Sequence, residues 1–157
     1  MSDLTGGAKA GAAGSDPYDH GRQERGLQER GSHQPDLIER DLIDEVCNTV
    51  RPWGHFEQFV ANEAVTVKTI TVLPGHRLSL QRHGRRAELW QILDHPLDVV
   101  VGDRAWLAAS GELVWVPAGL PHRVGNPGVR PGRVLEIAFG DFAEGDIERL
   151  EDDYHRD

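Results

Sequence analysis

The sequence predicts an all-β barrel or sandwich, and three observations predict it. Nearly all β-branched and aromatic residues lie after Val50. From Gly54 onward, short runs of these residues alternate with Gly- and Pro-bearing turns at regular intervals. Period-two alternation, rather than helical spacing, governs most of those runs.

The elements follow in order. Residues 1–36 are rich in Gly, Ala, Ser, Asp and Arg and almost without large apolar side chains. Such a stretch cannot offset chain entropy by burial and is expected to be a disordered tail. Residues 37–50 form an N-terminal arm: Leu37, Ile38, Leu42, Ile43 and Val46 have helical spacing, which suits a short helix or an extended packing arm. Residues 51–157 form the folded domain. Its expected strands are Phe56–Val60, Val65–Val72 (ended by Pro74-Gly75), Leu78–His83, Glu88–Leu93, Leu97–Val101, Arg104–Leu107, Leu113–Val116, Pro121–Val124 and Val134–Phe139. The segment Asp146–Glu151 is read as a short C-terminal helix.

Composition narrows the function. About 100 residues can bury an adequate core for one compact domain. A formal net charge of -9 argues against nucleic-acid binding, which needs a basic footprint. Cys47 is the only cysteine, which excludes an intramolecular disulfide and fits a cytoplasmic setting. No apolar run approaches membrane-spanning length, and no basic-then-apolar leader opens the chain.

One cluster resists explanation by packing alone. Gln81 and His83 share a face of their strand, and Glu88 begins the next strand beyond a turn holding Gly84. His122 follows the turn Pro117-Ala118-Gly119-Leu120-Pro121. A barrel interior can bring these four side chains together. An amide oxygen, two imidazoles and a carboxylate suit a divalent ion: Zn, Co or Mn, with Fe as an alternative. The set contains no thiolate, so a structural zinc site is not expected. Trp90 and Trp115 read as core residues. Lys68 shares a face with Ile70 and Val72; a buried lysine there needs a partner, and Glu136 on its own strand can supply it.

These segments resemble the two motifs of the cupin superfamily. The first is Gly-x5-His-x-His-x3,4-Glu-x6-Gly; Gly75, His83 and Glu88 fit it, Gln81 replaces its first His, and His95 stands where its last Gly belongs. The second fits from Gly111 through Pro117, Gly119 and His122 to Asn126. A closer resemblance covers about Arg51 to Arg156. Arg51-Pro52-Trp53-Gly54, the stretch from Val72 to Trp90, Val116-Pro117-Ala118-Gly119-x2-His122-Arg123 and Asp146-Ile147-x-Arg149-Leu150-x-Asp152-x-Tyr154 are similar to type II mannose-6-phosphate isomerases. That family also carries Gln for the first His.

The resemblance implies a double-stranded β-helix, the jelly-roll class. It implies metal ligands Gln81, His83, Glu88 and His122, a small-molecule sugar phosphate as substrate, and a homodimer, with the arm as a candidate swapped element. Arg86, Arg123, Arg149 and Arg156 match its basic positions and are the candidate substrate-binding residues, since guanidinium forks suit phosphate. Lys68 and Glu136 are the candidate base or proton relay for isomerisation through an enediolate. The first fifty residues cannot hold a nucleotide-binding α/β domain, so guanylyltransferase activity is not expected. Three departures from the family keep the substrate open: Leu89 beside Glu88, the altered turn Gln91–Asp98, and Tyr154-His155-Arg156 for Tyr-Gly-Arg. The alternatives are another metal-dependent cupin enzyme, such as an oxygenase or tailoring isomerase, and a sugar-binding cupin without turnover.

Overall fold

The structure is a computed structural model, and it describes residues 41–155. The tail, residues 37–40 of the arm and Arg156 lie outside the described residues. Eleven strands are described: β1 (Cys47–Arg51), β2 (Gly54–Gln58), β3 (Val65–Val72), β4 (Leu80–His83), β5 (Arg86–Ile92), β6 (Leu97–Val101), β7 (Arg104–Ala108), β8 (Leu113–Val116), β9 (His122–Gly125), β10 (Gly132–Gly140) and β11 (Ile147–Glu151).

Nine of them build two antiparallel sheets. The four-stranded sheet runs β3-β10-β5-β8 and the five-stranded sheet runs β11-β4-β9-β6-β7. Neighbours distant in sequence lie side by side, as in a jelly roll, which is the fold class expected. Between the sheets lies an apolar cluster. Trp90, Ile92, Val114 and Val134 come from the four-stranded sheet; Leu97, Val99 and Val124 come from the five-stranded one.

β5 is buried on both faces, and its alternation explains how. Glu88, Trp90 and Ile92 point between the sheets. Ala87 and Leu89 point the other way, into a second cluster with Trp115, Ile137 and Phe139. Leu42, Ile43, Val46, Phe59 and Val60 cover that second cluster. The arm therefore packs on the outer face of the four-stranded sheet. Its helical spacing yields only a single 3-10 turn, Ile43–Glu45, before the chain extends into β1. β1 pairs with β2 as a hairpin. The sequence pattern does not announce β1, because both faces of the hairpin are largely exposed and carry no alternation.

The expected C-terminal helix is not there. Glu144–Asp146 make one 3-10 turn, and Ile147–Glu151 form β11 on the edge of β4. The register slips between Arg149 and Glu151. That bulge breaks the period-two alternation and leaves Ile147 and Leu150 three apart, a spacing that mimics a helix. Pairing with β4 satisfies backbone groups that a six-residue helix would leave largely open.

Asn126 does more than the simple turn its surroundings suggest. Its buried amide donates to Val72 O (2.8 Å) and Arg130 O (2.7 Å) and accepts from Gly128 N (2.9 Å). It thereby ties the β9–β10 connection to the end of β3.

Candidate metal centre

Gln81 and His83 lie on β4 and His122 on β9, all in the five-stranded sheet, with Gln81 opposite His122 in register. Glu88 lies on β5 of the facing sheet. The cluster is thus assembled across the sandwich. Gly119 sets the approach of β9: with φ +81 it takes a backbone conformation that other residues reach only with strain. Its N–H donates to His83 O at 2.6 Å, which fixes the turn before His122 against the end of β4.

The ligand-type atoms of His83, Glu88 and His122 all lie within 4.8 Å of one another. His83 Nε2 is 3.2 Å from Glu88 Oε1, and His122 Nε2 is 3.7 Å from Glu88 Oε2. All three residues are buried. His122 Nδ1 lies 2.9 Å from Leu120 O, and a backbone carbonyl can only accept, so Nδ1 carries the proton. Nε2 of the neutral ring is then a bare lone pair, and it is a buried atom without a hydrogen-bond partner. Burial is the main force holding His122 below its ordinary pKa, which preserves that neutral form. A lone pair aimed at a carboxylate and a second imidazole is what a divalent ion requires, and the residues fit one.

Gln81 stands beside them, its amide nitrogen 3.5 Å from His83 Nε2 and its oxygen accepting from Ser79 Oγ at 2.8 Å. A serine hydroxyl can donate or accept, so the amide can be turned to offer its oxygen to the cluster at little cost.

Two further side chains hold Glu88. Trp90 Nε1 donates to Oε2 at 3.1 Å and Arg86 Nε donates to Oε1 at 3.1 Å. Burial pushes Glu88 up. Its close contacts with His83, His122 and the Arg86 guanidinium outweigh it and hold the carboxyl at about 2. Arg86 is 2% exposed; its Nη2 donates to His83 Nε2 at 3.0 Å and its Nη1 to Ala143 O at 3.3 Å. Asp146 braces the intervening turn, accepting from Gly84 N (3.3 Å) and Arg85 N (3.0 Å).

Lys68 and Glu136 face each other across β3 and β10 with Nζ 3.7 Å from Oε1. Their side chains differ in access: 38% exposed for Lys68 and 6% for Glu136. Burial pushes Glu136 up to about 7, helped by the charge of Glu88 and opposed by Lys68. Glu136 Oε1 has no hydrogen-bond partner. Phe142, which the sequence reading passed over, lies beside this pair. Lys68 Nζ is 3.9 Å and Arg86 Cζ 4.4 Å from its ring centroid. Each such contact contributes about 0.5–2 kcal/mol.

The candidate arginines separate. Arg86 reaches the cluster. Arg149 stands opposite Gln81 in register, at the exposed edge of the ligand face. Arg123 does not join them: it follows His122 on β9, so alternation turns it to the outer face of the five-stranded sheet. There its Nη2 donates to Glu151 Oε2 at 2.9 Å, and it lines a cavity of about 580 Å³ with Arg77, Asp98 and Leu107. None of the ligand residues lines that cavity. The expectation for Arg123 is corrected accordingly. Trp90 and Trp115 are core residues, as expected.

The mannose-6-phosphate isomerase C-terminal family matches residues 38–152. The chain belongs to this family. The alginate biosynthesis protein AlgA of Pseudomonas aeruginosa is 40% identical over 122 residues, covering 77% of this chain and 25% of that protein. Mannose-1-phosphate guanylyltransferase 2 of Escherichia coli O157:H7 is 38% identical over 109 residues, covering 68% and 23%. The chain thus spans about a quarter of the length of the curated relatives it matches. Among solved structures, oxalate decarboxylase of Bacillus subtilis aligns with a TM-score of 0.51 at 24% identity, covering 56% of this chain and 24% of that one. The capsular polysaccharide assembling protein CapF of Staphylococcus aureus aligns at 0.50 and 20% identity, covering 68% and 34%. These two likenesses establish the cupin fold for this member of the isomerase family. Among the described residues, no helix is long and apolar enough to cross a membrane.

Proposed function

We propose that this chain is a metal-dependent aldose–ketose isomerase interconverting mannose 6-phosphate and fructose 6-phosphate. The observation that carries the reading is the pairing, inside one sandwich, of a ligand-competent His83–Glu88–His122 cluster with a buried acid, Glu136, poised at about 7. Membership of the mannose-6-phosphate isomerase C-terminal family supports the substrate.

Gln81, His83, Glu88 and His122 would hold the ion. When bound, it supplies Lewis-acid polarisation of the sugar carbonyl. Glu136 removes a proton from the carbon next to that carbonyl and returns it to the carbonyl carbon, while the proton of the adjacent hydroxyl passes to the former carbonyl oxygen. A carboxyl near 7 is ionised often enough to accept the proton and basic enough to take it. Lys68 favours the carboxylate form of Glu136, while burial and Glu88 restrain it. The apolar packing of Trp90 against the edge of His122 (centroids 5.5 Å apart) limits water at the cluster. Arg86 and Arg149 supply positive charge toward the substrate, and Arg156 is proposed to join them.

The test is to purify the full chain, measure bound metal, and assay fructose 6-phosphate formation before and after chelation. Stoichiometric Zn, Co or Mn with activity lost on chelation and restored by the ion is expected. Metal binding without conversion, or activity indifferent to chelation, overturns the reading.

A further inference from the structure

We infer that Ser79 is a positioning residue for Gln81: its hydroxyl sets the amide so that oxygen, rather than nitrogen, meets a divalent ion held with His83, Glu88 and His122. The inference deepens the isomerase reading and rests on it for the ion.

Ser79 is a buried hydroxyl that packing alone does not ask for. It is 2% exposed, where an alanine would bring no polar atom to satisfy. It stands one residue ahead of β4, two before Gln81 and four before His83, so period two turns all three side chains to the interior face. The backbone around it is held to β9: Leu78 N donates to Val124 O at 2.9 Å, and Arg77 bridges Gly125. From this fixed place its Oγ donates to Gln81 Oε1 at 2.8 Å.

The amide of Gln81 has two ends of equal shape and opposite character. The oxygen accepts, the nitrogen donates, and the oxygen is the end that binds a cation. Gln81 Nε2 lies 3.5 Å from His83 Nε2. His83 Nδ1 faces Asp146 O at 3.4 Å, and a carbonyl only accepts, so Nε2 of that ring carries the lone pair. The lone pair draws the nitrogen end of the amide inward. An ion on His83 takes that lone pair and calls for the oxygen end instead.

The two ends exchange by a half-turn of the amide, which brings the nitrogen to the place beside Ser79 where the oxygen stood. A hydroxyl answers both settings, since it donates to the oxygen and accepts from the nitrogen. An alanine answers neither. With the oxygen on the ion, the amide N–H facing it would lose its acceptor, a loss worth roughly tenfold or more in binding. Ser79 thus lets the site fill without stranding a polar group beside it.

The experiment is a chelator-competition titration of the full chain with Co(II), on the wild type, Ser79→Ala, Gln81→Ala and the double variant. Ser79→Ala should weaken Co(II) binding about 10- to 100-fold, the usual effect of removing a partner that orients a ligand. Gln81→Ala should weaken it at least as much. In the Gln81→Ala background, Ser79→Ala should change affinity by less than about twofold, because no amide remains to orient. Ser79→Thr keeps the hydroxyl and should bind closer to the wild type than Ser79→Ala does. A serine that merely supports the fold would weaken binding equally in both backgrounds. Equal losses, no loss on Ser79→Ala, or Ser79→Thr weaker than Ser79→Ala overturns the inference and leaves the isomerase reading standing. Wild-type affinity in Gln81→Ala takes Gln81 out of the ligand set and overturns the inference as well. A wild type that binds no Co(II) removes the isomerase reading, and the inference with it.

Discussion

Glu88 and Glu136 point into the same sandwich from adjacent strands of one sheet, yet their environments drive them apart. Glu88 has two imidazoles, a guanidinium and an indole N–H around it, and sits at about 2. Glu136 has an ammonium at 3.7 Å and one oxygen without a partner, and sits at about 7. Desolvation is the largest upward push on both. The difference lies in the number of donors and positive charges that answer it. Two carboxylates separated in this way suit the two roles proposed for them, one a permanent anion for a cation and the other a proton carrier.

The comparison can be broken most severely at the Glu88 end. His122→Ala removes the bare Nε2 and should lower metal affinity by more than the roughly 10- to 100-fold that loss of an outer partner costs; a chelator-competition titration reads it. An unchanged affinity would remove His122 from the ligand set.

At the other end, Glu136→Gln keeps the shape and removes the base. The rate should fall on the order of 10²- to 10⁴-fold, with metal content retained. The wild-type pH–rate profile should have an acid limb centred no higher than about 7, because a bound dication favours the carboxylate. Activity is lost as pH falls through it. A variant that keeps that limb would assign it to another group.

A third test needs no substrate. Glu136 has its pKa raised on folding, so between about pH 4.5 and 7 the folded chain holds a proton that the unfolded chain releases. Across that window Glu136 makes stability of chelator-treated protein fall as pH rises, while His122, held below its ordinary pKa, makes it rise; Glu136→Gln should remove the falling part and turn the slope more positive. Denaturant midpoints measured at several pH values decide it. A slope that Glu136→Gln leaves unchanged would mean that Glu136 does not hold that proton.

The smallest effect should come from outside the sandwich. Arg123→Gln changes a side chain on the opposite face from His122 and should alter turnover by less than about threefold, the loss being confined to its ion pair with Glu151. A large fall in kcat/KM would place the outer face in the reaction.

Much of this was legible because alternation is a strong constraint. β3, β6 and β8 run as the residue pattern indicates, and the placing of Gln81 with His83, and of Lys68 opposite Glu136, follows from period two plus register. The failures share one cause: local pattern cannot see what lies across a sheet. The bulge at Leu150 disguised β11 as a helix, the exposed hairpin hid β1, and the match to the family's basic positions grouped Arg123 with residues from which the pleat turns it away. Phe142 had no signal at all, and Asp146 stood in a family-like stretch without a role, since their partners are supplied only by the fold.

The double burial of β5 has a consequence for anyone transplanting this centre. The recognisable motifs begin at Arg51, but Leu42, Ile43 and Val46 close the far side of the strand that carries Glu88. The smallest portable unit therefore starts upstream of its own signature. A graft cut at Arg51 would keep every ligand and lose the backing that keeps one of them still.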